Sequence, residues 1–167
     1  MQSKLSYINK VRDKFIEFNN YSSVSAEPIT GHRILLVDDH AVLRRGVRSL
    51  LASEPDFEIC GEASSAKEAL EFVEKTRPDV MVLDLQIPGD SGWWVLRELR
   101  KMGLNTRVVI LSQYELPQAM YTARAAGCYG YVSKSRASED LVKAIRAALA
   151  GRTFFNELSR AAGRPSY

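Results

Sequence analysis

The chain lacks the features that would place it in several broad classes. Its 167 residues include only two cysteines, so a disulfide scaffold is excluded and a reducing cytoplasm fits best. Those two cysteines and two histidines show no short spacing, which disfavours a structural zinc site. Long apolar runs are absent. The longest, residues 80–83 and 108–111, are far too short to cross a bilayer. The opening residues Met1 to Tyr7 lack the apolar block and small-residue cleavage site of a secretory signal. No Gly-x-x-x-x-Gly-Lys-Ser/Thr occurs, which removes the P-loop nucleotide folds. A surplus of one charge is also missing from the middle of the chain. The net +3 arises at the ends, leaving 16 basic against 16 acidic residues over 31–150. That is no electrostatic footprint for nucleic acid.

What is present is average globular composition, 46% apolar and 26% charged, with a clear alternation of patterns. Residues 3–18 have helical periodicity, with Leu5, Ile8, Val11, Phe15 and Phe18 on one side. Residues 19–28 read as a linker. This predicts an amphipathic N-terminal helix and linker over 1–30, and a domain over 31–151. Within the domain, strands are predicted at 33–37, 57–63, 79–83, 107–111 and 128–132. Helices are predicted at 41–52, 65–75, 91–102, 117–126 and 138–150. Residues 152–167 read as a C-terminal linker or tail. Five strand–helix units of this kind imply an α/β fold, a five-stranded parallel sheet with helices on both faces.

Ligands of such sheets sit at the carboxyl ends of the strands. Asp38, Asp39 and His40 follow the first strand, Asp84 the third, Ser112 the fourth, and Ser133 and Lys134 the fifth. Singly, each has an ordinary reading. Asp39 could cap a helix, Asp84 could close a turn, and Lys134 could be solvated. Jointly, three carboxylates, a hydroxyl and an ammonium converge on one edge. Clustered carboxylates repel, and magnesium suits a few hard oxygen ligands. A carboxylate beside a cation and a lysine is a plausible phosphoryl acceptor. The first strand runs into Val37-Asp38-Asp39-His40 rather than a Gly-x-Gly-x-x-Gly, so a dinucleotide fold is disfavoured. Neither histidine has a partner suggesting a hydrolytic triad.

These residues resemble the receiver domain of bacterial two-component response regulators. The resemblance rests on Leu36-Val37-Asp38-Asp39-His40, Val82-Leu83-Asp84-Leu85-Gln86-Ile87-Pro88-Gly89-Asp90-Ser91-Gly92, Ile110-Leu111-Ser112 and Gly127-x-x-Gly130-Tyr131-Val132-Ser133-Lys134. It covers residues 32–151. It implies a flavodoxin-like doubly wound (βα)5 fold of strand order 2-1-3-4-5. It implies that Asp84 accepts a phosphoryl group from a sensor histidine kinase. Magnesium would be held by Asp38, Asp39, Asp84 and the main-chain carbonyl of Gln86, with Asp39 favoured as a direct ligand. Ser112 would bond a phosphoryl oxygen, Lys134 would pair with the phosphoryl group, and Tyr131 would be an aromatic switch that swings inward. Gln86 and Tyr114 would flank the approach of water.

Ser135 after the lysine, Arg44-Arg45-Gly46-Val47 and Gly151-Arg152-Thr153-Phe154-Phe155 resemble the LuxR-type, NarL/FixJ-like subgroup. That subgroup carries a DNA-binding output, and residues 159–167 do not resemble its start. The expectation is therefore a transcription regulator whose output is absent from this chain. The alternative is a stand-alone receiver acting only through proteins. An aspartyl phosphatase would place a second Asp at position 86, where Gln86 stands, so an enzyme is not expected. A homodimer on phosphorylation is expected through residues 117–148, and no membrane partner. Of Trp93 and Trp94, one ring is expected to pack against the sheet and the other to be exposed. The fold order places Cys60 and Cys128 on opposite edge strands, roughly 19 Å apart at about 4.8 Å per strand spacing, so no disulfide is expected between them.

Overall fold

The computed structural model describes residues 31–114 and 116–155. The expected helix at 3–18, the linker at 19–28 and the last twelve residues of the expected tail lie outside them. The elements alternate along the chain. Strand β1 (His32–Val37) leads to helix α1 (Ala41–Leu51), β2 (Phe57–Ala63) to α2 (Ala66–Thr76), and β3 (Val80–Leu83) to α3 (Gly92–Lys101). Then β4 (Arg107–Ser112) leads to α4 (Pro117–Ala125), and β5 (Gly130–Ser133) to a short 3-10 turn (Lys134–Arg136) and α5 (Ala137–Leu149). A short strand β6 (Phe154–Phe155) follows.

All strand pairs are parallel, in the order β2-β1-β3-β4-β5-β6. The sheet thus has six strands, one more than expected. The difference lies in residues expected to be linker. Phe154 donates its N–H to the Tyr129 carbonyl at 2.7 Å, and Phe155 is the register partner of Tyr131. The free edge of β5 offers backbone partners, and two adjacent phenylalanines satisfy them.

Strand alternation builds two apolar layers. Leu35, Val37, Met81, Leu83, Val108 and Ile110 face α2, α3 and α4. Ile34, Leu36, Val80, Val82, Val109 and Leu111 face α1 and α5. The central strand β3, Val-Met-Val-Leu, is buried on both faces, as a parallel interior strand requires. Phe155 extends the first layer and Phe154 the second.

Helix ends follow local chemistry. Ser65 caps α2 by accepting from the Glu68 N–H at 3.3 Å, and the Glu68 carboxylate accepts from the Ser64 N–H at 2.7 Å. Pro117 opens α4 at a position where a missing N–H costs nothing. The β1–β2 register shifts between Ile34 and Leu35. There Gly61 lets the Phe72 ring come within 2.6 Å of where a Cβ would stand. Among the described residues no helix is long and apolar enough to cross a membrane.

Two expectations about side chains need correction. Trp93 and Trp94 are both half-buried against the first layer, so neither ring is fully exposed. Cys128 precedes β5 rather than lying on it, and β5 is not an edge because β6 covers it. Both cysteines are free thiols.

Cys128 is 4% exposed. Burial pushes its thiol up to about 12, against a small opposing pull from Arg100. The thiolate is the reactive form, so Cys128 in the native chain stays almost wholly as the unreactive thiol at pH 8. Cys60 is half-buried on the edge strand, its sulfur 3.5 Å from Thr76 Oγ1. Ellman's reagent at pH 8 should therefore titrate Cys60 in the native chain and Cys128 only after denaturant is added. Two rapid native reactions would contradict the packing described for Cys128.

Candidate functional site

The strand order reverses direction between β1 and β3. Helix α1 leaves β1 onto one face and α3 leaves β3 onto the other. A crevice opens between them at the carboxyl ends of the strands. The ladders continue one residue past these ends. Asp38 donates its N–H to the Ala63 carbonyl at 3.1 Å, and Asp84 donates to the Val37 carbonyl at 2.8 Å. Backbone pairing thus sets the two carboxylates side by side. Across β4 and β5, Ser112 is in register with Ser133, so Lys134 leaves β5 one residue past the level of Ser112.

Asp38 and Asp84 are 5% and 2% exposed. The Lys134 ammonium sits between them. Its Nζ donates to Asp84 Oδ2 at 2.6 Å and lies 2.7 Å from Asp38 Oδ2 as an ion pair. Burial pushes the ammonium toward losing its proton, but hydrogen bonds and charge from Asp38 and Asp84 outweigh that. The net direction is upward from the usual lysine value. Lys134 therefore stays charged across the physiological range.

Asp39 is more exposed and reaches the same space. Asp38, Asp39, His40 and Asp84 each offer a ligand atom, and these atoms all lie within 4.8 Å of one another. His40 Nδ1 is 2.8 Å from Asp39 Oδ1 and 3.2 Å from Asp38 Oδ1, and the His40 N–H donates to Asp38 Oδ1 at 2.7 Å. Three carboxylates face one buried ammonium, which leaves the pocket with surplus negative charge. Hard oxygen donors with a surplus charge fit a small divalent cation such as magnesium.

Gln86 is exposed, and its N–H donates to Asp84 Oδ1 at 3.0 Å. Both oxygens of Asp84 are thus engaged. Ser112 is buried, and its hydroxyl accepts from the Tyr114 N–H at 3.2 Å. The Tyr131 hydroxyl donates to the Tyr114 carbonyl at 2.7 Å. Tyr131 is 1% exposed, so its ring is inward and fully buried. The structure brings Asp38, Asp39, Asp84 and Lys134 together and joins the Gln86 N–H to Asp84, while Ser112 and Tyr131 are linked to each other through Tyr114.

Three residues at the site were given no role from the sequence. His40 was visible as part of Asp38-Asp39-His40, but its side chain's return onto the carboxylates was not. Arg44 reaches back from α1 to the Asp38 carbonyl. Gly92 opens α3 directly against the backbone of Asp84. A Cβ there would stand 2.6 Å from the Asp84 carbonyl oxygen and 2.8 Å from Leu85 Cα. Its signal was a glycine just after the Ser91 cap, a position at which glycine is not otherwise needed.

The family model described as "Response regulator receiver domain" matches residues 34–146. The chain is 40% identical over 131 residues to the nitrate/nitrite response regulator protein NarL of Escherichia coli (strain K12), across 78% of this chain and 59% of that protein. It is 38% identical over 130 residues to the DNA-binding transcriptional activator DevR/DosR of Mycobacterium tuberculosis, across 78% and 60%. A crystal structure of a LuxR-family two-component response regulator from Aurantimonas sp. SI85-9A1 superposes with a TM-score of 0.74 at 36% identity, covering 78% of this chain and 94% of that one. The chain spans about 60% of the length of these two curated relatives.

The contact at Gly92 is with backbone, which cannot rotate aside. Gly92→Ala should destabilise the fold by about 2 kcal/mol, read as a lower urea midpoint with an unchanged slope. A change below about 0.5 kcal/mol, the range of ordinary surface substitutions, would show that the approach is not tight.

Proposed function

The chain belongs to the response regulator receiver domain family, and on that premise we propose that it is a phosphorylation-controlled switch with Asp84 as the acceptor. The observation that carries this reading is the Lys134 ammonium, held 2.6 Å from Asp84 and 2.7 Å from Asp38, with both carboxylates buried. A carboxylate oxygen of Asp84 attacks the phosphorus of a kinase phosphohistidine. The phosphorus–nitrogen bond breaks, and its electron pair returns to the imidazole. Asp38, Asp39 and Asp84, with the Gln86 main-chain carbonyl, would hold magnesium, which supplies charge neutralisation for the transferred group.

The protein's own groups do the rest. Lys134 follows the negative charge from the carboxylate onto a phosphoryl oxygen. The Ser112 hydroxyl leaves the Tyr114 N–H and bonds another phosphoryl oxygen. Tyr114 is also the acceptor for Tyr131, so that exchange is felt where β4 leads into α4. The face formed by α4, β5 and α5 then binds a second copy of the chain. The partners are a sensor histidine kinase and, after phosphorylation, a twin subunit. Transcriptional control follows through a DNA-binding output outside this chain, in the cytoplasm. Gln86, where an aspartyl phosphatase would carry an acid–base carboxylate, argues for a regulator rather than an enzyme acting on added substrates.

Intact mass after incubation with magnesium and acetyl phosphate tests the acceptor. The chain should gain one alkali-labile phosphoryl group, and Asp84→Asn should gain none. An equal gain in the variant would move the acceptor elsewhere. No gain in the unaltered chain, with acetyl phosphate or with a phosphorylated kinase, would overturn the proposal.

A further inference from the structure

Arg44 is not in the pocket, yet it holds the loop that carries the pocket's exposed carboxylate. Its N–H donates to the His40 carbonyl at 3.0 Å, and its guanidinium Nη1 donates to the Asp38 carbonyl. The first bond is main-chain and any residue at 44 would make it; the side chain's own hold on the loop is the guanidinium at the carbonyl that immediately precedes Asp39. The guanidinium is itself anchored, with Nε donating to Glu62 Oε2 at 3.0 Å. Glu62 is the penultimate residue of β2, so the arginine ties α1, the loop after β1 and the edge strand into one unit. The Arg44 side chain is 19% exposed and that of Glu62 27%. Arg48 makes a second contact with Glu62 and, among the described residues, none with the loop.

We propose that Arg44 is a positioning residue for the divalent-cation site, its guanidinium fixing the backbone that leads into Asp39 with Glu62 as its anchor. The proposal rests on the functional reading above, because it needs a cation at Asp38, Asp39 and Asp84. Groups that orient metal ligands from behind change metal affinity by about tenfold to a hundredfold when removed. The sign of the effect separates positioning from simple charge. Arg44 places a positive charge near a cation site, so charge alone predicts tighter magnesium binding once it is removed. Positioning predicts weaker binding.

The test is calorimetric titration of the chain with magnesium, beside hydrogen exchange of the amides of residues 38–40 in chelator. Arg44→Ala should bind magnesium about tenfold more weakly and exchange those amides faster. Arg44→Lys should bind weakly as well, because it keeps the charge but cannot span Glu62 and the Asp38 carbonyl together. Arg48→Ala, which removes the neighbouring charge from Glu62, should leave affinity unweakened. Unfolding midpoints of all three show whether each variant is folded under the conditions of titration. Unchanged or tighter binding in Arg44→Ala, or unaltered affinity in Arg44→Lys, would overturn the inference. Absence of magnesium binding by the unaltered chain would overturn the functional reading and this inference with it, a result distinct from equal binding by chain and variant.

Discussion

Lys134 carries one positive charge into a space where Asp38 and Asp84 are both withdrawn from water. Two carboxylates brought this close repel, and each loses its hydration in the low-dielectric interior. The ammonium between them offsets both penalties. A buried ion pair is worth having only when its geometry is good. Much of the surrounding fold serves that geometry. The β1–β3 ladder sets the carboxylates level, the β4–β5 register brings Lys134 to the same height, and Gly92 lets α3 begin directly behind Asp84. Changes to any of these are felt first as misplacement of charge.

The same arrangement holds the site ready for chemistry. One ammonium cannot balance three carboxylates, so the pocket keeps a deficit that a divalent cation or an incoming phosphoryl group with its cation can resolve. Preorganised charges of this kind need no rearrangement when new charge arrives. The edge of the pocket is joined to the rest of the molecule at Tyr114. Its N–H is held by Ser112 and its carbonyl by Tyr131, so two elements meet on one exposed residue. The short strand β6 lies beside Tyr131, with the Arg124 guanidinium of α4 4.6 Å from the Phe155 ring centre. Rearrangement at Tyr131 therefore has immediate neighbours in α4 and β6.

Most of the architecture was readable because interior parallel strands have a distinctive signature. Segments such as Val-Met-Val-Leu at 80–83 are buried on both faces and contain no polar residue, and each is followed by helical spacing. The site was readable for a related reason. Strand ends converge in space, so Asp38, Asp84, Ser112 and Lys134 could be collected without knowing any distance. What escaped depends on reach rather than pattern. Phe154–Phe155 is too short to show alternation, and its partner is an edge that only the folded sheet supplies. The backward reach of Arg44 and the curl of His40 are choices of rotamer, which spacing does not encode. That Trp93 and Trp94 are both half-buried is likewise a matter of packing against the first layer, which spacing does not encode.

The central claim is that Lys134 and Asp84 are coupled charges rather than neighbours. A double-mutant cycle with Lys134→Met and Asp84→Asn, followed by urea unfolding in chelator, measures that coupling directly. Removing Lys134 alone leaves two buried carboxylates facing one another. Removing it after Asp84→Asn leaves only Asp38. The account predicts an interaction energy above about 1 kcal/mol, with Lys134→Met costing less in the Asp84→Asn background. Additive effects within about 0.3 kcal/mol would contradict it, because charges that do not feel each other cannot hold the site together.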